Sequence, residues 1–172
     1  MKKNILYTVS IVFLVVSIIG LTISCEPDSC KDIACGTNQV CYQGNCICQN
    51  GLEGDNCSVS SVERFIGAYD VNEYTYTGTT TSPFYTSEIM YGSRLDEVLL
   101  TNFANTGITL RANISTSTLT GKGTHITIND SNGALEVSGE GEYNENLNRI
   151  DLQCNIKQDF QNRTSQVTFI KL

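Results

Sequence analysis

The sequence contains no tryptophan, two prolines and a single histidine among 172 residues. Because His125 is the only histidine, a histidine-based metal site lacks partners, and any Ser-His-Asp or Cys-His arrangement would have to use this side chain. Basic residues are also few: 11 Lys and Arg stand against 18 Asp and Glu, which gives a formal net charge of −7. An acidic chain lacks the positive surface that phosphates attract, so we expect no nucleic-acid partner and no charge-driven binding to anionic lipid.

The first 24 residues have the pattern of an export signal. Lys2 and Lys3 precede a mostly apolar run over residues 5–23, which is typical of a secretory signal peptide. The run is also long enough to span a bilayer, so an uncleaved anchor is the alternative. The end of the run, Ser24-Cys25, resembles a bacterial lipoprotein signal, and this resemblance implies that Cys25 carries the acyl chains, palmitate among them. Two or more such chains hold a protein stably in a membrane.

Residues 25–29 form an acidic tether after this signal. The run Glu26-Pro27-Asp28-Ser29 resembles the surface-export signal of Bacteroidota lipoproteins. The resemblance implies a protein held by lipid in the bacterial cell envelope, at the outer membrane and displayed at the surface. The alternative is an ordinary hydrophilic tether. These residues therefore predict that the protein contacts a membrane through its lipid anchor. They do not determine which side of the membrane the protein faces.

Six cysteines lie within residues 30–57, spaced C-x4-C-x5-C-x4-C-x-C-x8-C. So short a segment cannot bury enough apolar surface to fold alone, and after an export signal its cysteines are expected to form disulfides. Zinc is the competing interpretation. The segment contains no histidine and no C-x2-C pair, which disfavours zinc.

The second half of this segment resembles an EGF-like domain. Residues 46–57 fit the C-terminal signature C-x-C-x5-G-x2-C of that family throughout. Six cysteines allow 15 pairings, and the resemblance implies one of them: Cys30–Cys41, Cys35–Cys46 and Cys48–Cys57. Residues 26–29 lack the calcium-binding pattern of the family. The resemblance therefore implies a module without calcium that acts as a spacer or contact surface.

Residues 58–63 read as a linker, and residues 64–172 have the pattern of an antiparallel β-domain. Residues 150–157 alternate apolar and polar side chains without error, as one-sided strands do. Gly139 and Gly141 fall on the apolar side of another such strand, where we expect a sharp bend or a closely approaching backbone. Turn residues separate the expected strands, which cover residues 65–76, 84–91, 97–103, 108–114, 124–129, 135–143, 150–157 and 166–172.

The expected fold class is mainly β: a small disulfide-rich EGF-like module followed by a barrel or sandwich of about eight strands. The opening residues 65–69 and the late residues 138–143 resemble the lipocalin-like β-domains of small Bacteroidota lipoproteins. That resemblance favours a barrel. An immunoglobulin-type sandwich stays open, although the characteristic cysteine pair and core tryptophan of that fold are absent.

Tyrosines are concentrated in the first two expected strands of this domain, with the polar segment 77–83 between them. Tyrosine combines a rigid ring with a polar tip and is common at binding surfaces. These residues are therefore candidates for the mouth of a barrel pocket or a sugar-stacking platform; the alternative is ordinary barrel wall. The candidates are Tyr69, Tyr74, Tyr76, Tyr85 and Tyr91.

Three other features suggest chemistry. Glu136, Glu140 and Glu142 share one strand side near Asp151, where clustered carboxylates suit a Ca²⁺ ion or a glycosidase pair. Acidic residues on the solvent side of a strand more often only keep it soluble and discourage pairing with strands of other molecules. Cys154 alternates with apolar residues and is expected to be buried and inert. His125 alternates outward and is expected to face water.

The sequence predicts a non-enzymatic, lipid-anchored envelope protein without catalytic residues, metal or cofactor. In this hypothesis the EGF-like module is a spacer and the β-domain binds an unidentified protein or glycan. One alternative is a carrier of a small apolar ligand in a lipocalin-like pocket. Another is a surface glycan hydrolase that uses Glu136, Glu140 and Glu142. The last is a signal-anchored protein of a eukaryotic cell, where EGF-like modules are common.

Overall fold

The computed structural model describes residues 29–76, 84–116 and 122–172. The predicted export signal, Cys25, the first part of the predicted tether and the segment 77–83 lie outside these residues. The described residues divide into two compact units, one that includes residues 29–34 and 41–45 and one that includes residues 35–40 and those from 46 onward. Among the residues described, none belongs to a helix with the length and apolar character needed to cross a bilayer.

Three disulfides link residues 30–57. Cys30–Cys41 lies within the smaller unit, with its Cα atoms 5.8 Å apart. Cys35–Cys46 and Cys48–Cys57 lie within the larger unit, with Cα separations of 5.5 and 5.2 Å. These are the three pairs that the family resemblance implies. The strands of this stretch, β1 (Gln39–Tyr42) and β2 (Asn45–Cys48), form a two-stranded sheet, so the stretch is a small disulfide-rich module.

The expected linker over residues 58–63 is regular structure. Val59–Ser60 (β4) pairs with Leu52–Glu53 (β3), and a 3₁₀ helix follows directly at Ser61–Phe65. Ser61 and Val62 are buried, which a solvated linker would not allow. A strand of two residues and a 3₁₀ helix of five are too short to show a hydrophobic period, so the sequence pattern does not distinguish them from a linker.

The C-terminal domain is a closed antiparallel barrel, which confirms the expected fold class and excludes the sandwich. Each strand pairs with its neighbours in sequence, and the last strand closes the barrel by pairing with the first. The strands are β5 (Gly67–Thr75), β6 (Phe84–Tyr91), β7 (Glu97–Phe103), β8 (Ile108–Ser115), β9 (His125–Asn132), β10 (Leu135–Asn144), β11 (Arg149–Gln158) and β12 (Gln161–Lys171).

The start of β12 differs most from the expected strands. It begins at Gln161, five residues before the strand predicted from residue 166. Asp159 and Phe160, which connect β11 to β12, both have positive φ, at 48° and 66°. Tight hairpins need this geometry, but glycine or asparagine normally supplies it. The connection was therefore not recognisable from composition.

Large apolar side chains fill the barrel from the inward positions of all eight strands. The 3₁₀ helix contributes Val62 and Phe65 to the same core, and the Phe65 ring lies 5.4 Å from that of Tyr143. The Tyr69 hydroxyl donates a hydrogen bond to the Phe65 carbonyl oxygen at 2.7 Å. The helix thus closes one end of the barrel with apolar side chains.

Gly139 and Gly141 lie opposite Cys154 and Leu152 on β11. A Cβ atom at Gly139 would overlap the Gln153 carbonyl oxygen, and one at Gly141 would overlap that of Asp151. The expected close approach of another backbone is confirmed at both positions. Glycine is required here because the inward side of β10 has no room for a side chain at these levels.

Candidate functional site

The structure does not bring the five candidate tyrosines together. Tyr69 and Tyr85 point into the barrel, where burial raises the pKa of both phenols, and the Tyr85 oxygen accepts a hydrogen bond from the Ala104 backbone at 3.1 Å. Tyr74, Tyr76 and Tyr91 are exposed. Two of the five are therefore core residues, and the idea of one tyrosine-lined mouth is wrong.

Tyr74 and Tyr76 form a pair on the outside of the barrel. Their ring centroids are 5.6 Å apart and the rings are perpendicular, an edge-to-face arrangement that aromatic pairs favour. The Tyr76 hydroxyl donates to Oε1 of Gln166 on β12 at 3.3 Å. These two contacts hold an aromatic surface at the edge of the face formed by β12, β11, β10 and β9.

The outward side chains at the middle of β5, β12, β11, β10 and β9 define what we call the polar face; Arg149, Lys157 and Ile170 also point outward on these strands but lie beyond it. The strand register places the side chains of the polar face in three parallel rows of direct cross-strand neighbours. From β5 to β9 the rows are Asn72, Thr168, Asp151, Glu142 and His125; then Tyr74, Gln166, Gln153, Glu140 and Thr127; then Tyr76, Thr164, Asn155, Ser138 and Asn129.

The composition of the polar face is unusual for an exposed sheet. Its rows contain amides, hydroxyls, carboxylates, two tyrosines and one imidazole, but no lysine, arginine or aliphatic side chain. The outer side of β6–β8 provides a contrast in the same barrel. There, Met90, Leu99 and Arg111 are direct neighbours. The two sides of one barrel thus present different chemistry.

The carboxylates of the polar face stand in different surroundings. His125 lies between two of them, with Nε2 3.8 Å from Glu140 and Nδ1 3.9 Å from Glu142. Asp151 accepts hydrogen bonds from Arg149 at 2.8 Å and from Thr168 at 3.0 Å. Glu136 lies at the border of the face, 3.1 Å from Lys157. The three glutamates share the outward side of β10, as expected, and Asp151 lies opposite Glu142, but only Glu140 and Glu142 lie beside His125.

Neither metal binding nor hydrolysis is favoured by this arrangement. Within residues 29–76, 84–116 and 122–172, no group of three or more His, Cys, Asp or Glu side chains is arranged to hold a metal ion. The Glu140 and Glu142 side chains are 74% and 54% exposed on the open wall of the barrel. Glycoside hydrolases place their two carboxyl groups on either side of the scissile bond, and an open wall does not provide this arrangement.

Shallow hollows cross the polar face. One of about 430 Å³ is bordered by Tyr76, Gln166, Gln153 and Glu140 and extends to His125. A neighbouring hollow of about 440 Å³ shares Gln153 and Glu140 and continues toward Thr127. Both are open to solvent and lined by side chains that donate and accept hydrogen bonds. The face can therefore hold an extended polar molecule along its rows.

Cys154 and a buried ion pair lie on the inner side of the same wall. Cys154 is buried, as expected, and burial raises the pKa of its thiol to about 12. Nearby, the carboxylate of Glu73 accepts hydrogen bonds from Arg163 and Ser165, each at 2.9 Å. Sequence reasoning missed this polar group, although Val71, Glu73 and Thr75 alternate in step. Glu73, Ser165 and Cys154 are buried, and the side chain of Arg163 is 25% exposed.

Comparison with known proteins adds no family. Searches against protein-family models, curated proteins and solved structures find no match to this chain. The geometry of the polar face is therefore the basis on which function is inferred.

Proposed function

We propose that this chain is a lipid-anchored, non-enzymatic protein of the bacterial cell envelope that binds an external ligand on its β-barrel. In this proposal Cys25 carries the acyl chains, the disulfide-rich module is an EGF-like spacer, and the barrel is a lipocalin-like domain. The observation that carries the proposal is the polar face, a continuous surface of hydrogen-bonding side chains bordered by an exposed tyrosine pair.

The module supports the EGF-like interpretation and an oxidising location. Its three disulfides have the pairing of that family, and Gly54 and Cys57 complete the C-terminal signature. Disulfides of this density are typical of secreted and envelope proteins. The one free thiol among the described residues, Cys154, is buried and has a raised pKa. The cysteine chemistry is thus consistent with export.

The barrel supports a binding surface more than a carrier. Eight antiparallel strands in sequential order are also the arrangement of lipocalins, in which an internal cavity holds one small ligand. Here the inward positions are occupied by buried side chains that include Phe65, Phe103 and Phe169. An enclosed apolar ligand would have to displace this core, whereas the polar face is accessible without rearrangement.

The lipid anchor is tested by detergent phase partitioning of the full chain expressed in a bacterium that processes lipoproteins. Wild-type protein should enter the detergent phase, and Cys25→Ala should remain in the aqueous phase. Cys154→Ala is the matched control, because it also removes one cysteine but leaves the anchor. Equal partitioning of wild type and Cys25→Ala would show that the chain is not anchored through Cys25.

The binding role is tested with the full-length protein in phosphatidylcholine vesicles. These are passed over surfaces coated with neutral polysaccharides, with heparin or with polylysine. The proposal predicts retention on at least one surface, and a loss of that retention in Tyr76→Ala. Met90→Ala, on β6 and outside the three rows of the polar face, should be retained like the wild type. Failure to be retained on any of the surfaces would end the binding proposal.

A further inference from the structure

We propose that the polar face binds an uncharged glycan chain, laid along its rows so that sugar rings contact the Tyr74–Tyr76 pair and successive hydroxyls contact Gln166, Gln153 and Glu140. This inference deepens the proposed function and rests on it. It is drawn from the juxtaposition of an aromatic pair with adjoining amides and carboxylates on an open sheet.

The hydrogen-bonding groups of the face match sugar hydroxyls. A hydroxyl both donates and accepts, and so do the amide side chains of Gln153 and Gln166. A carboxylate such as Glu140 accepts from more than one hydroxyl. Among the residues described, Gln153 forms no side-chain hydrogen bond within the protein, and Gln166 forms one with Tyr76. The amides of the central row thus retain capacity for a ligand.

The types of side chain that are missing from the three rows limit the kinds of ligand that the polar face can bind. Its three rows contain no lysine or arginine, and the cations beside them are paired, Arg149 with Asp151 and Lys157 with Glu136. The rows therefore do not suit an anionic polymer. They also contain no aliphatic side chain, so they do not suit an apolar surface. The imidazole of His125 lies 3.8 Å from Glu140 and 3.9 Å from Glu142, which leaves little room for a cationic group between these two carboxylates.

The spacing of the rows suits an extended chain. Neighbouring strands are about 4.8 Å apart, and outward residues along one strand are about 7 Å apart. A row therefore offers a polar side chain at intervals comparable to one sugar ring, over the width of five strands. The hollow from Tyr76 to His125 follows this direction and crosses β12, β11 and β10. A linear glycan can follow it without any change in the barrel.

The tyrosine pair supplies the apolar part of sugar recognition. Tyr74 and Tyr76 are 47% and 55% exposed, and each is fixed by the other through perpendicular packing. The apolar C–H side of a sugar ring can stack on such a ring, while its hydroxyls reach the amides. Fixed rings also lose little side-chain entropy on binding, which favours affinity. Aromatic and polar contacts are thus combined at one edge.

The test is flotation of phosphatidylcholine vesicles that carry the full-length protein, mixed with fluorescent polymers. The neutral probes are dextran, mannan, xylan and a β-glucan; heparin is the anionic probe and polylysine the cationic one. We expect at least one neutral polymer to float with the vesicles. Tyr76→Ala and Gln166→Ala should each weaken its binding about tenfold. Tyr76→Phe keeps the ring and should lose much less.

Two further variants distinguish a neutral ligand from a cationic one and locate the site. Glu140→Gln removes charge but keeps hydrogen bonding, so binding of the neutral polymer should change by less than about threefold. Met90→Ala, on β6 and outside the three rows, is the control and should bind like the wild type. All variants are first compared with the wild type by thermal unfolding, so that a misfolded variant is recognised.

The outcomes separate this inference from the proposal on which it rests. Flotation of heparin or polylysine alone would overturn the uncharged glycan and leave the binding role standing. Flotation of no polymer would overturn both. Neutral binding that survives Tyr76→Ala and Gln166→Ala, or that falls equally in Met90→Ala, would overturn the assignment to the polar face.

Discussion

Glu73 and Arg163 form an ion pair inside the barrel, with Nε of Arg163 donating to Oε1 of Glu73 at 2.9 Å. The Glu73 side chain is 3% exposed and that of Arg163 25%. Ser165 donates a second hydrogen bond to the same carboxylate oxygen at 2.9 Å. β5 and β12 pair to close the barrel, so this polar group lies where the first and last strands of the barrel meet.

Loss of one partner of this pair should be costly. Arg163→Leu leaves the carboxylate of Glu73 buried without its cation, which we expect to destabilise the fold by about 3 kcal/mol. The double variant Glu73→Leu/Arg163→Leu removes both charges and should be markedly more stable than Arg163→Leu alone. Urea unfolding of the wild type, the double variant and both single variants gives the free energy of unfolding of each protein. If the double variant loses the sum of the two single losses, the pair is not coupled and our interpretation is wrong.

Most of the fold was predictable because its signals are local. Alternation in residues 150–157 identified β11, and the inward glycines at 139 and 141 identified a tight strand contact. The disulfide pairs agree with those implied by the family signature. Each of these features depends on one strand or one short motif, so it can be recognised from the sequence without knowledge of the fold.

The polar face was not predictable in the same way. Its rows exist only because Gln166 lies opposite Tyr74 and Gln153 opposite Gln166, and strand register is fixed by the closed sheet rather than by one segment. Tyr69 and Tyr85 were included among the binding candidates because of their residue type, although alternation places both inward with Val71 and Ile89. The five tyrosines were grouped by residue type before their inward or outward positions were assigned, and two core residues were therefore counted as binding candidates.

The thiol of Cys154 should make stability fall at alkaline pH. Burial raises its pKa to about 12 in the folded state, from an ordinary value of 9.0. The folded state therefore retains a proton that the unfolded state releases, so stability decreases as pH rises through 9 toward 12. Between pH 8 and 10 the wild type should lose about 1.4 kcal/mol relative to Cys154→Ala. Urea unfolding of both proteins at each pH provides the measurement.

The comparison with Cys154→Ala is essential because other groups titrate in the same range. Burial also raises the pKa of Tyr69 and Tyr85, and both proteins contain these phenols. Their contribution cancels in the difference. A difference that stays constant from pH 8 to 10 would mean that the thiol is accessible to solvent in the folded state.

A methyl group at Gly141 should disrupt the β10–β11 pairing. The new Cβ would overlap the carbonyl oxygen of Asp151, so the two strands must separate locally. We expect Gly141→Ala to destabilise the barrel by about 2 kcal/mol, within the range for overpacked cores. Glu140→Ala is the matched control, since it lies next in the same strand but points outward. A thermal unfolding midpoint of Gly141→Ala equal to that of Glu140→Ala would contradict the close approach.

The segment from β3 to the 3₁₀ helix is held to the barrel by charged side chains, which leads to a fourth prediction. The Arg64 guanidinium bridges the carboxylates of Glu53 and Glu145, and Lys122 pairs with Glu145 at 2.7 Å. Oε2 of Glu53 also accepts a hydrogen bond from the Gly123 backbone at 2.8 Å. Arg64 thus positions the carboxylate that joins β3 to the start of β9.

Arg64→Met should therefore loosen this junction without unfolding the barrel. We expect faster amide exchange at Gly123, which loses a fixed acceptor, and at Ser61, whose amide donates to the Gly51 carbonyl at 2.9 Å. Hydrogen exchange followed by NMR reads both amides directly. Arg111→Met is the control, because Arg111 is 70% exposed and 3.9 Å from its nearest carboxylate partner, Glu97. Equal exchange in both variants would show that packing of Leu52 and Val62, rather than the ion pairs, holds the segment in place.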